Sequence, residues 1–403
     1  MKRIIPFILA ALMLAACADT IEGSKKGYVD LDSKREEQQA LTDSTADLGF
    51  DPEGSAEYDE KDYDIMRLGM SSVGSRVYWL YGADGNKGNF MLDTKTDSLH
   101  RLCNRAGCAH ADNSPGCIDR INMCCSTASS KGIYFVRDSK VMLFDGTEQQ
   151  DIYMNRYSTE LSKRMFPDAP SVLAGLLCHN GKMYLLGPNY FCTFDPENGT
   201  AGEPVELTDS NTYSYCMNDE YLFCSNENLE LFSCRLSDNR ITKLGDKVNG
   251  ICTKDNELYY LKWENDIPCL MHADSSGENA VQLIENCTVG YIITDKAVYY
   301  QHFREDSADL YVCDLGSKET RTVDLSCTVR SDVPETAEDE SIVYPQEQFH
   351  PRMIWNRESD KLYVIDELYC EKDSFGQWLP SEGIVMFIFK NGSAEFEIKT
   401  DGV

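Results

Sequence analysis

The stretch LCNRAGCAHADNSPGC, residues 102–117, sets Cys103, Cys108, His110 and Cys117 in a segment with almost no large apolar residues. Three thiolates and an imidazole form a Cys3His donor set suited to tetrahedral zinc. The same thiols can instead close as disulfides, Cys108–Cys117 or Cys103–Cys117, with the remaining cysteine pairing to Cys124 or Cys125. The spacing C-x4-C-x-H-x6-C matches no zinc-finger class. A loop this polar has little core of its own, so a structural zinc or disulfides must order it, and both remain open. Adjacent strand residues point to opposite faces, so only one of Cys124 and Cys125 can reach the loop.

Other chemistry is sparse. Of His100, His110, His179, His272, His302 and His350, only His110 has ligand-type neighbours. His272 and His302 lie in strand patterns and read as structural histidines. No nucleophile elbow, H-E-x-x-H, phosphate-binding glycine loop or EF-hand loop is present in the sequence. GMSSVGS, residues 69–75, reads as a turn with serines. The acidic run around Glu335, Glu338, Asp339 and Glu340 reads as a solvated loop. No catalytic residue is assigned.

The N-terminus begins MKRIIPFILAALMLAAC. Lys2 and Arg3 precede a short apolar stretch. It falls short of the roughly 20 residues that span a bilayer, but it fits a signal peptide's apolar region. The ending Leu14-Ala15-Ala16-Cys17 resembles the lipobox of bacterial lipoproteins. The resemblance implies that residues 1–16 are a cleaved signal peptide and that Cys17 carries diacylglycerol. The expected location is then the extracytoplasmic face of a cell membrane, held by lipid rather than by a span. Ala18 follows, not the Asp that retains some lipoproteins at an inner membrane.

The formal net charge is −29. Nucleic-acid binding depends on Lys and Arg neutralising phosphates, so this balance excludes a nucleic-acid partner. It also argues against lying flat on an anionic membrane. A strongly acidic surface keeps an exported chain soluble, and a monomer is expected. Residues 17–61 read as the lipidated Cys followed by a flexible acidic tether, too polar to offset the entropy of ordering. Such a coil reaches roughly 35–40 Å.

From residue 62 to 403 the pattern repeats. SRVYWLY, KGIYFVRD, NGKMYLLG, NDEYLFCS, DNELYYLK, DKAVYYQH and SDKLYVID are seven turn-then-aromatic strands. Their alignment places Tyr78, Tyr134, Tyr184, Leu222, Tyr259, Tyr299 and Tyr363 at equivalent positions, 37 to 64 residues apart. Each is followed by a partner strand, a turn of Asp, Asn, Gly, Ser or Pro, and a final strand. No apolar helix period occurs from residue 64 onward. A repeat of this length predicts an all-β fold, a β-propeller of seven blades of four-stranded antiparallel sheets. Two departures are the cysteine-rich loop between blades 1 and 2 and an insertion at 328–355. Cys192, Cys216, Cys224, Cys234, Cys252, Cys269 and Cys313 fall in apolar strand patterns and read as core thiols.

These units resemble the divergent propellers of bacterial surface lipoproteins, related in style to TolB and YWTD-type repeats. The resemblance covers about residues 64–403 and implies a fold rather than a function. It also implies that the cysteine-rich loop lies on the face that usually carries propeller binding sites, where it either rims the channel mouth or clips neighbouring blades. The expected function is a non-enzymatic binding or interaction module for an extracellular glycan, peptide or protein. The alternative is an extracytoplasmic hydrolase or lyase with a site at the channel mouth.

Overall fold

A computed structural model of the chain describes residues 48–51, 70–79, 89–103, 126–288, 290–302, 309–325, 352–372 and 378–402. Cys17, Cys108, His110, Cys117, Cys124, Cys125 and His350 lie outside them, as does the acidic run at 335–340.

Seven successive antiparallel meanders are the blades of a β-propeller, and each is four-stranded as the repeat predicts. They span residues 70–101, 127–154, 175–206, 212–246, 248–284, 292–324 and 352–402. The outer strand of blade 3 is split into Thr200–Ala201 and Val205–Glu206, both pairing with Tyr190–Asp195. Pro204 lies in the gap, where a residue lacking an N–H cannot extend the ladder. Asp43–Val289 forms one compact unit holding blades 1–5, and Gly290–Val403 contributes blades 6 and 7 to a second.

The aromatic strands are the second strand of each blade, not the first. The leading strands are Met70–Val73, Thr127–Ser129, Gly175–His179, Thr212–Met217, Val248–Lys254, Ile292–Ile293 and Arg352–Asn356. Several are short and carry serine or threonine, so pattern alone hides them. Two readings change accordingly. Residues 69–75 are a strand, Met70–Val73, followed by a turn, and the end of the 328–355 insertion is strand Arg352–Asn356. Leading strands of neighbouring blades pack together within each unit, as in the contact of Thr212–Met217 with Val248–Lys254.

Both faces of a blade are covered, so its middle strands are continuously apolar rather than alternating. Ile133–Val136 and Val141–Phe144 are buried without a break, whereas outer strand Arg240–Asp246 is largely exposed. In blades 1–3 the third residue of the second strand faces the following blade. Tyr134 joins Leu176, Met183 and Leu185 of blade 3, and Tyr184 joins Tyr215, Met217 and Leu222 of blade 4. In blade 4 the equivalent residue is therefore Phe223, which packs with Val248, Leu258 and Tyr260 of blade 5. Leu222 faces blade 3, because a shift of one residue reverses the face.

Two further features lie outside the repeat. Residues 48–51 fall inside the stretch read as a tether, yet they are docked. Leu48 is buried with Tyr78, Ile133 and Phe144, and Phe50 stacks on Tyr78 at 5.1 Å. Leu48 and Phe50 supply the apolar surface that the rest of that stretch lacks. A helix also exists, α1 (Glu160–Met165), between blades 2 and 3. At six residues it is too short to show a period. Its signature is the capping box between Thr159 and Ser162, which satisfies otherwise unpaired N–H groups. Among the described residues no helix is long and apolar enough to cross a membrane.

Candidate functional site

The meander fixes which turns share an edge of each sheet. The first and third hairpins lie at one end, while the second hairpin and the connection to the next blade lie at the other.

Polar staples run from blade to blade along the first-hairpin edge. Lys131 of blade 2 meets Glu197 of blade 3 at 2.7 Å. In blade 4, Asp219 accepts from Asn180 Nδ2 of blade 3 and Asn256 Nδ2 of blade 5, each at 2.7 Å, and His179 Nε2 lies 3.0 Å away. Asn218 Nδ2 donates to the carbonyls of Asn256 and Ser275. Within the second unit, Lys296 pairs with Asp360 and Arg357 with Asp295. Donation by Asn180 and then by Asn256 holds the Asp219 carboxyl below its ordinary range. Both carboxylate oxygens are engaged, so Asp219 is a fixed anion of the fold rather than a proton carrier.

The other edge of blades 2–4 is built on a buried polar frame. Asn155 Nδ2 donates to the Ser171 carbonyl at 2.6 Å and to Tyr190 Oη at 2.9 Å. Thr159 Oγ1 donates to Asn189 Oδ1 at 2.8 Å, and Asn189 Nδ2 donates to the Thr208 carbonyl at 2.7 Å. Thr212 donates to the Pro188 carbonyl through both N and Oγ1, and Tyr215 Oη donates to the Gly187 carbonyl at 2.7 Å. Asn155, Thr159, Asn189, Tyr190, Thr212 and Tyr215 are buried. Buried polar groups with partners fix a conformation, and an orphan would cost the full desolvation.

The frame presents exposed groups. Tyr157 Oη donates to Glu206 Oε1 at 2.8 Å, and Met165, Phe166 and Tyr213 are exposed. Burial, and then the Glu206 carboxylate, push the Tyr157 phenol up to about 12. Burial raises Tyr190 as well. Both phenols stay protonated at neutral pH; Tyr157 donates to Glu206, and Tyr190 accepts from Asn155. The Tyr157–Glu206 bond thus fixes one phenol and one carboxylate at this edge.

A histidine–carboxylate pair lies elsewhere, in blade 5. His272 Nε2 is 2.6 Å from Glu257 Oε2, and its ring stacks on Tyr259 at 4.6 Å. Tyr259 and His272 are direct cross-strand partners, which gives the pair a structural role of the kind the sequence predicts. His302 likewise stacks on Tyr311 at 3.7 Å.

Of the candidate ligands in the cysteine-rich loop, only Cys103 is described, and it is buried. Its grouping with Cys108, His110 and Cys117 lies outside the described residues. Among the described residues no set of three or more His, Cys, Asp or Glu side chains is placed to hold a metal. The core thiols read from the strand pattern are all buried, and Cys192, Cys216, Cys224, Cys234, Cys269 and Cys313 form no disulfide. Burial raises Cys192 and Cys234 to about 11 and Cys216 well above the ordinary thiol range.

Sequence reasoning missed Asn155, Thr159 and Tyr213. A Thr-x-x-Ser box ahead of α1 is the signal for Thr159. For Tyr213 the signal is an extra residue in its strand, visible only once pairing is known.

No family model matches the sequence, and no curated protein matches it. Among solved structures the chain is similar to a streptogramin B lyase, with TM-score 0.47 and 11% identity over 77% of this chain and 93% of that one. It is similar to an oligogalacturonate lyase from Vibrio parahaemolyticus, with TM-score 0.47 and 10% identity over 83% and 96%. A prolyl endopeptidase gives TM-score 0.49 and 10% identity over 84% of this chain and 50% of that one, so the chain spans half of its length. Likenesses of this size say nothing about activity.

Proposed function

We propose that the chain is a lipid-anchored, extracytoplasmic β-propeller that binds an extracellular glycan, peptide or protein without turning it over. The observation that carries this reading is the edge of blades 2–4. A buried, fully bonded frame of Asn155, Thr159, Asn189 and Thr212 holds exposed side chains in fixed positions. Preorganisation of this kind lowers the ordering cost of binding. The phenols there are held protonated, which suits recognition by hydrogen bonding. The Leu14–Cys17 lipobox and the charge of −29 support export and lipid anchoring at Cys17. Zinc or disulfides in the Cys103–Cys117 loop remain the two devices proposed for ordering it.

A second reading is a hydrolase or lyase, favoured only by the His272–Glu257 pair. Incubating purified full-length chain with glycan and peptide libraries tests the choice. Retention of a ligand without product supports binding, and product formation overturns it.

A further inference from the structure

We infer that the edge of blade 4 around Tyr213 is a carbohydrate-binding platform for a neutral or amino-sugar polymer. The inference rests on the binding reading above and names its ligand class.

Strands of this fold bury their aromatic rings. Among the residues whose burial is described, only Phe166 and Tyr213 are exposed aromatics, at 37% and 51%. Tyr213 lies in the leading strand Thr212–Met217, where rings are otherwise core. A β-bulge between Thr212 and Ser214 accounts for its exposure, leaving Tyr213 as the unpaired extra residue. Its neighbours Thr212 and Tyr215 are pinned to the Pro188 and Gly187 carbonyls, so the bulge cannot relax and the ring stays outward.

The surroundings of the ring are polar. The Glu227 N–H donates to the Asn211 carbonyl at 2.7 Å, which brings the two connecting segments together. Asn228 Nδ2 donates to Ser210 Oγ at 2.9 Å. The Asn211 carboxamide makes no side-chain hydrogen bond among the described residues. One exposed amphipathic ring on connecting segments that carry the half-buried Asn211 carboxamide, the exposed Asn228 carboxamide and the Glu227 carboxylate matches a sugar, whose C–H face stacks while its rim hydroxyls both donate and accept. A protein partner would call for a larger apolar centre surrounded by water-excluding contacts, whereas the segments that flank Tyr213 carry Asn211, Ser214, Glu227 and Asn228.

Charge narrows the class. On the two segments at this edge, residues 205–213 and 226–229, every charged side chain is acidic: Glu206, Asp209 and Glu227. The whole chain carries −29. Both fields repel uronate-bearing or sulfated polymers.

The test is native affinity electrophoresis of the full chain in gels containing β-glucan, xylan, mannan, chitosan or polygalacturonate. Retardation is expected from at least one of the first four and not from polygalacturonate. Tyr213→Ala should weaken it at least tenfold without changing the melting temperature, Tyr213→Trp should retain it, and Asn211→Ala should weaken it less. No retardation by any of these polymers, or equal retardation of Tyr213→Ala, overturns the inference. A Tyr213-dependent protein partner without any glycan retardation overturns it and leaves the binding reading standing. Shortening of a retarding polymer by the wild type overturns the binding reading while Tyr213 recognition stands.

Discussion

The carboxamide of Asn256 in blade 5 donates a 2.7 Å hydrogen bond to the carboxylate of Asp219 in blade 4. Asn180 of blade 3 donates to the other oxygen of the same carboxylate, so one side chain ties three blades. These donors hold Asp219 below its ordinary value of 3.8. A depressed carboxyl contributes stability that is fully present above about pH 4 and is lost as pH falls through the lower, folded value. Thermal melts from pH 7 to pH 2.5 should show Asp219→Asn with a shallower acid limb than the wild type. Its cost at neutral pH should stay under about 1 kcal/mol, because the site is solvent-screened. Parallel acid limbs would contradict the staple.

Tyr78 donates its hydroxyl to the Leu48 carbonyl at 2.7 Å. Tyr78→Phe keeps the ring and removes the donor, at a cost of about 1–2 kcal/mol. Limited proteolysis should then cut near residues 48–51 faster than in the wild type. Unchanged protection would show that Leu48 and Phe50 hold the segment without this bond.

Asn155 is buried and donates to Ser171 and Tyr190. Asn155→Ala orphans buried acceptors and should cost about 2 kcal/mol in denaturant titration. An exposed-type effect of a few tenths would remove Asn155 from the frame.

Cys216 is fully buried, and desolvation raises its thiol well above the ordinary range. Only the thiolate reacts readily, so iodoacetamide at pH 8 should leave Cys216 unmodified in the native chain and label it after denaturation. Mass spectrometry reads the site. Rapid native labelling would contradict the packing of Phe223 and Val248 around it.

A Cβ at Gly132 would lie 2.1 Å from the Phe144 carbonyl oxygen, and its φ of +148° disfavours a side chain. Gly132→Ala should therefore destabilise blade 2 by about 2–3 kcal/mol. A neutral effect would show that the neighbouring strand yields.

The seven-fold repeat was legible because the middle strands of a blade are buried on both faces and read as aromatic, apolar runs. The leading strands were not, because Thr127–Ser129 and Met70–Val73 contribute mostly small or hydroxylated residues. Leu222 was placed one position from the true equivalent, Phe223, since turn length cannot be read from Asn218-Asp219-Glu220 alone. Cys216 and Cys224 were legible as core because their neighbours alternate with apolar residues. The frame around Asn155 and Asn189 was not, since its bonds join residues up to 35 positions apart. Tyr213 was not legible either, because its exposure follows from a bulge between Thr212 and Ser214 that only the strand pairing defines.

The central claim is binding without turnover. The most direct measurement incubates the full chain with the polymers that retard it and follows both bound fraction and polymer length over many hours. The account predicts saturable binding with polymer length unchanged. Progressive shortening that scales with protein concentration would contradict it.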